Sequence, residues 1–287
     1  MGNPVLDRLD VFNGRAQRGG QPGYAPGPGQ FPGQGYGQPQ GYGQHPGQFP
    51  GQHPGQYQQY QGDQTGRMTF DDVITKTAIC LALVAVVAAL AWNFIPDALI
   101  APALIVSALV GFVTVLVVSM RKAFSPGVVL FYAVVEGVFV GMFSKIFEVQ
   151  YPGIVTQAVL ATFATAGVTL AAYKFFNIRV TDKFRKVVFL ATAGFAAAML
   201  LNFVMVLFGA NTGLRSIGGE MSLLALGVAA LGAVLAVLNL VSDFDAVERG
   251  VASGADAKAS WAAALGITVT MVWLYTEILR IISYFRR

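Results

Sequence analysis

The feature that most limits this chain is a series of apolar runs beginning just after Thr69. Each run is about 20 residues or longer, enough to cross ~30 Å of hydrocarbon. Seven are present, at about 74–95, 98–120, 126–147, 153–176, 186–209, 221–242 and 260–284. They predict an all-α membrane protein of seven transmembrane helices. The first begins at a capping signal: Thr69 precedes Phe70, and Asp72 stands three residues on, in the capping-box position. The seventh run departs most from the pattern, because it contains Glu277 and Arg280 and ends in Arg286-Arg287. A re-entrant or incompletely crossing seventh span is the alternative there.

Composition supports the same class. Hydrophobic residues make up 55% of the chain and charged residues 12%, about half the charged share of a soluble domain. Fifteen acids and nineteen bases do not coat a soluble globule of 287 residues. Cys80 is the sole cysteine, which excludes an internal disulfide or a cysteine-cluster metal site. His45 and His53 both precede the apolar block, so the spans hold no histidine for general-base or metal chemistry. No GxxxxGK[ST] string occurs, nor the YD and GxGD pair of intramembrane aspartyl proteases. The expectation is a protein that is not an enzyme and needs no cofactor. Nucleic-acid binding is unsupported, since no basic aromatic groove is visible.

Two regions follow from composition. Residues 1–68 are expected to be a disordered cytoplasmic tail, and residues 69–287 the transmembrane domain. Within the tail, 39 of the 44 residues from 19 to 62 are Gly, Gln, Pro or Tyr, and none is charged. Such a segment buries too little apolar surface to fold. Its tyrosines suit self-association or partner contacts; the plainer alternative is a solvated extension. The first 30 residues contain no apolar core of a signal peptide.

The distribution of bases sets the expected orientation. With the N-terminus in the cytoplasm and seven alternating spans, 14 of the 19 bases lie inside. Lys145, Arg215, Arg280, Arg286 and Arg287 remain outside. Gly137 and Gly141 form a GxxxG, a spacing that lets helix backbones approach where lipid gives no hydrophobic drive.

Ionisable groups within the spans need a partner, a cavity or a function. Glu136 lies ten residues past Pro126, roughly 15 Å along a helix and near the bilayer midplane. No base stands near it on its own helix. Glu277 lies in WLYTEILRIISYF, with Arg280 three residues on as a local partner. Asp243 closes the sixth span in LVSDFDAVERG, with Asp245 beside it; both also fit a solvated helix end. Lys145 fits a snorkelling lysine near the outer face. Two buried carboxylates within a few Å do not both ionise cheaply. A pair of them across two helices would hold one proton, sense pH, and admit a cation such as Ca²⁺ when parted.

Seven spans, an EG dipeptide in the third, an acid closing the sixth and an LYxE in the seventh resemble the Bax inhibitor-1 (transmembrane BAX inhibitor motif) family. The glycine- and glutamine-rich tail and the RMTFDDVITKT opening look like its actinobacterial branch. The resemblance covers about residues 69–287. It implies a central seventh helix wrapped by the other six and a pH-sensitive Ca²⁺ leak channel of the bacterial inner membrane. It implies a proton-sharing acid pair, Asp243 and Glu277, which would also be the transient Ca²⁺ ligands, and an arginine, Arg121, that swings to the first acid. Asp245 and Glu136 are additional acidic candidates. Glutamate at 277 stands where many members have aspartate, and some ten extra residues separate spans six and seven. Some bacterial relatives are thought to restrain a membrane protease, so a regulatory membrane protein with a membrane-protein partner is the alternative. Lipid, protons and Ca²⁺ are the other expected partners.

Overall fold

A computed structural model describes residues 66–120, 125–176, 178–210, 213–214 and 222–286. The expected disordered tail lies outside them, except Gly66 to Met68. Seven helices follow: α1 (Phe70–Phe94), α2 (Ile100–Met120), α3 (Pro126–Gln150), α4 (Ile154–Phe175), α5 (Asp182–Leu207), α6 (Leu223–Ala252) and α7 (Ala259–Phe285). All seven are long and apolar enough to cross a membrane. Thr69 caps α1 as expected, accepting a hydrogen bond from the Asp72 amide at 3.1 Å.

Long-range contacts sort the turns into two ends. At the first end, the root of the tail joins the α6–α7 turn: the Met68 amide donates to the Ala255 carbonyl at 2.7 Å, and the Ala257 amide to the Gly66 carbonyl at 2.9 Å. The start of α5 and the end of α4 meet α6 there through Arg185 and Tyr173. At the second end, Lys145 of α3 pairs with Asp97 in the α1–α2 turn at 2.8 Å. Arg286 donates to the Pro152 carbonyl in the α3–α4 turn. Thus α7 starts beside the tail root and finishes at the opposite end. At 27 residues α7 is long and apolar enough to cross a membrane, and its single unbroken course between the two ends does not fit a re-entrant span.

One boundary differs from the sequence expectation. Helix α6 does not stop at residue 242 but continues to Ala252. Asp243 is therefore inside a helix rather than at its end. The extension is held by charge: Asp245 accepts from Arg249 at 2.9 Å one turn later and lies 3.8 Å from Arg185 of α5. A polar helical extension of this kind needs such pairs in place of lipid.

Close packing is concentrated where glycine permits it. A Cβ at Gly137 would lie 2.6 Å from Val87 Cβ, and one at Gly141 2.6 Å from the Ala88 carbonyl oxygen. The GxxxG of α3 is thus the contact with α1. This packing role covers Gly137 as well as Gly141.

Helix α7 is the most buried: 78% of its apolar window is inside the protein, against at most 44% for any other helix. It packs on α1, α3, α4 and α6. Ala262, Ala263, Ala264 and Leu265 are fully buried, small residues allowing four neighbours to close around it.

The orientation expected from the bases has a direct check. Cysteines placed at Ser253 and Gly213 should be labelled from opposite sides of the membrane, with Gly213 alone reactive in whole cells. The native Cys80 is buried and gives no background. Equal labelling at both positions would overturn the N-inside arrangement.

Candidate functional site

The interface of α6 with α7 carries a polar stripe. Asp243 is fully buried, and its Oδ2 accepts a hydrogen bond from Thr270 Oγ1 of α7 at 2.7 Å. One turn earlier, Asn239 Nδ2 donates to Thr192 Oγ1 of α5 at 2.7 Å and to the Leu235 carbonyl at 2.8 Å. A polar contact buried in this setting is specific, because the alternative is an unsatisfied group in hydrocarbon. Thr270 is itself buried, so the bond is closed off inside the protein.

Glu277 occupies a second pocket on the same helix. It is 1% exposed, and Trp273 Nε1 donates to its Oε1 at 3.2 Å. A Cβ at Gly232 of α6 would lie 2.8 Å from the Glu277 carboxyl carbon and 2.9 Å from Phe195 Cζ of α5. The Phe195 and Trp273 rings stack with centroids 5.8 Å apart. Glycine at 232 therefore makes room for the carboxyl, and two aromatic rings wall it. Gly232→Ala is expected to displace the Glu277 side chain. Intrinsic fluorescence of Trp273, compared in a background lacking Trp92 and Trp261, should shift. An unchanged spectrum would mean that the carboxyl is not held there.

The two acids are not brought together. Asp243 sits at the level of Thr270, whereas Glu277 lies two turns further along α7, ~10 Å in axial rise. On α6, Asp243 and Gly232 are eleven residues apart, ~16 Å. The direct proton-sharing contact expected of Asp243 and Glu277 is absent from this conformation. The cause is register: the antiparallel helices put a threonine opposite Asp243. Holding one Ca²⁺ between these acids would need them much closer. Among the described residues, no three His, Cys, Asp or Glu side chains gather into a metal site.

The other candidates fall in three places. Asp245 is engaged by Arg249 and Arg185 at the first end, beside Tyr173, whose hydroxyl donates to Glu248 at 2.6 Å. That accounts for Asp245 as part of a charged surface network. Arg121 lies outside the described residues. Glu136 is half-buried on α3 and faces α2, where a Cβ at Gly111 would lie 3.1 Å from its Oε2.

Glu136 and Glu277 share one feature that sequence reading missed. Both line a cavity of about 1080 Å³ bounded by α2, α3, α5 and α7. Arg280 lines it too, its guanidinium 5.1 Å from the centre of the Phe143 ring. Thr270, Gly232 and Gly111 were also missed. A weak signal existed for Thr270, since residues 270 and 277 are seven apart and so share a helix face. The glycines carried none, because their partners lie on other helices.

No curated protein matches the chain. A family model described as Bax inhibitor 1 like matches residues 3–287. That match spans all seven helices and both acid pockets of α7 and α6, and the chain belongs to the Bax inhibitor 1 like family of membrane proteins.

Proposed function

We propose that this protein is a proton-sensitive cation leak of the bacterial inner membrane, Ca²⁺ being the ion carried, with its N-terminus in the cytoplasm. The observation that carries the proposal is the buried Asp243–Thr270 bond joining α6 to α7. A change of proton occupancy at Asp243 alters the charge at a fully buried seam, where an ion costs far more than in water. The seam must then re-pair or open. Arg121 keeps its proposed role as the cation that receives Asp243 in the open state. Glu277 acts as a separate acid on the cavity wall, available to a passing cation through its carboxylate oxygens. The chemistry is transport, not catalysis.

Purified protein in proteoliposomes loaded with a Ca²⁺ indicator tests this. A Ca²⁺ leak that changes with pH, in the absence of any other protein, is the expected result. No flux at any pH would defeat the channel reading and favour the second one, a regulator that acts on a partner membrane protein. That reading has its own support: the root of the tail is bonded to the α6–α7 turn, so a partner holding the tail would pull on the helix pair that carries Asp243.

A further inference from the structure

We propose that the cavity between α2 and α5 is a binding site for hydrophobic organic cations, such as lipophilic amines or phosphonium ions. Three observations carry this. The first is size and access. At about 1080 Å³ the cavity is at the upper end of small-molecule sites. Helix α2 packs on α3 and α5 packs on α6, but α2 and α5 do not pack on each other. The gap between them is a lateral opening between two helices of membrane-crossing length, a route suited to a lipophilic cation that accumulates in a bilayer.

The second observation is charge. Glu136 from α3 and Glu277 from α7 are on the wall, against one guanidinium, Arg280. Arg280 is three residues from Glu277 on the same helix and packs on Phe143. Glu136 comes from the other wall, where the Tyr132 hydroxyl is its hydrogen-bond partner, and among the described residues no lysine or arginine forms an ion pair with it. The wall carries two carboxyl groups against one guanidinium, which disfavours an anionic occupant.

The third is the character of the remaining surface. Phe112, Phe139, Phe195 and Trp273 line the cavity, so aromatic faces come from all four helices. Aromatic rings together with a carboxylate attract a cation by their quadrupoles and by its charge. A small metal ion resting there would give up its hydration shell for few oxygens, so such walls suit its passage and not its retention. A weakly hydrated organic cation loses little and covers apolar surface in addition. The site shares Glu277 with the ion leak proposed above, but its test reads equilibrium binding and not flux, so the failure of either reading is distinguishable from that of the other.

The test uses the full chain in phosphatidylcholine nanodiscs and equilibrium dialysis of radiolabelled tetraphenylphosphonium. Saturable binding is expected, with no competition from tetraphenylborate, an anion of the same shape. Glu136→Gln should weaken binding at least about tenfold, as loss of a charge contact in an apolar site does. Phe112 is 44% exposed on α2, so Phe112→Leu should fold normally and weaken binding several-fold, about 3-fold or more. Absence of saturable binding, equal displacement by tetraphenylborate, or wild-type affinity in Glu136→Gln would overturn the proposal. If Glu136→Gln does not fold, Phe112→Leu decides: wild-type affinity there overturns it, and weakened binding supports it.

Discussion

Gly141→Leu is expected to abolish recovery of folded protein, and Gly141→Ala to destabilise it by ~1–3 kcal/mol, the usual cost of overpacking. The reason is backbone, not side-chain, proximity. A Cβ at 141 would lie 2.6 Å from the Ala88 carbonyl oxygen and 3.0 Å from Ala88 Cα. Neither atom moves by rotating a side chain, so α1 and α3 must separate. Gly137 meets Val87 Cβ at 2.6 Å and the Val84 carbonyl oxygen at 2.9 Å, so a substitution there acts in the same direction. These helices form an extensive contact, and α1 also packs on α7. Parting them disturbs the core cluster that joins Cys80 and Val84 of α1 to Tyr132 and Ala133 of α3. In contrast, Gly167→Ala and Gly194→Ala meet nothing within 4 Å and should behave as wild type. Thermal unfolding in detergent, followed by size-exclusion recovery, measures all four variants. A Gly141→Ala protein as stable as Gly167→Ala would mean that α1 and α3 do not cross as closely as described.

That contrast also shows what the sequence could say. The seven spans were legible because hydrocarbon thickness imposes a length on every helix, and the GxxxG was legible because small residues recur on one face of α3. Which helix it would meet was not, since contact with Val84 to Ala88 depends on how the helices are arranged. The same limit governs the acids. Each was marked by its cost in an apolar run, so Asp243, Glu277 and Glu136 stood out one by one. Their mutual placement depends on the register of α6 against α7, which the run lengths leave open. Reading α6 as ending at 242 put Asp243 at a helix end, and the ten residues of further helix shifted its partner to Thr270. Asp245 was legible only as a charge; that it belongs to Arg249 and Arg185 required the position of α5.

Asp243→Asn is expected to flatten the pH dependence of Ca²⁺ flux, the largest functional effect of any single substitution here. Asparagine keeps the shape and can still accept from Thr270, so α6 and α7 remain joined, but it no longer takes up or loses a proton. If the proton biases the seam by ~1.4 kcal/mol, wild-type flux changes about tenfold across the titration. The asparagine variant should vary less than about twofold over the same range. Thr270→Val removes the donor and keeps the volume. A hydrogen bond to a charged group contributes ~1.5–3 kcal/mol. This variant should therefore move the midpoint of the flux profile while leaving a titration in place. Combined with Asp243→Asn, it should add little to the pH response, because the two groups in contact act as one unit. Glu277→Gln should behave differently. With ~10 Å of helix between its level and that of Asp243, the effects of Glu277→Gln and Asp243→Asn should add. Additivity of the Asp243 and Glu277 variants, with strong coupling of the Asp243 and Thr270 variants, identifies the threonine as the partner. The reverse pattern would mean that α6 and α7 slide during gating until the two carboxyls meet, and that the Asp243–Thr270 bond belongs to one resting arrangement of the helix pair.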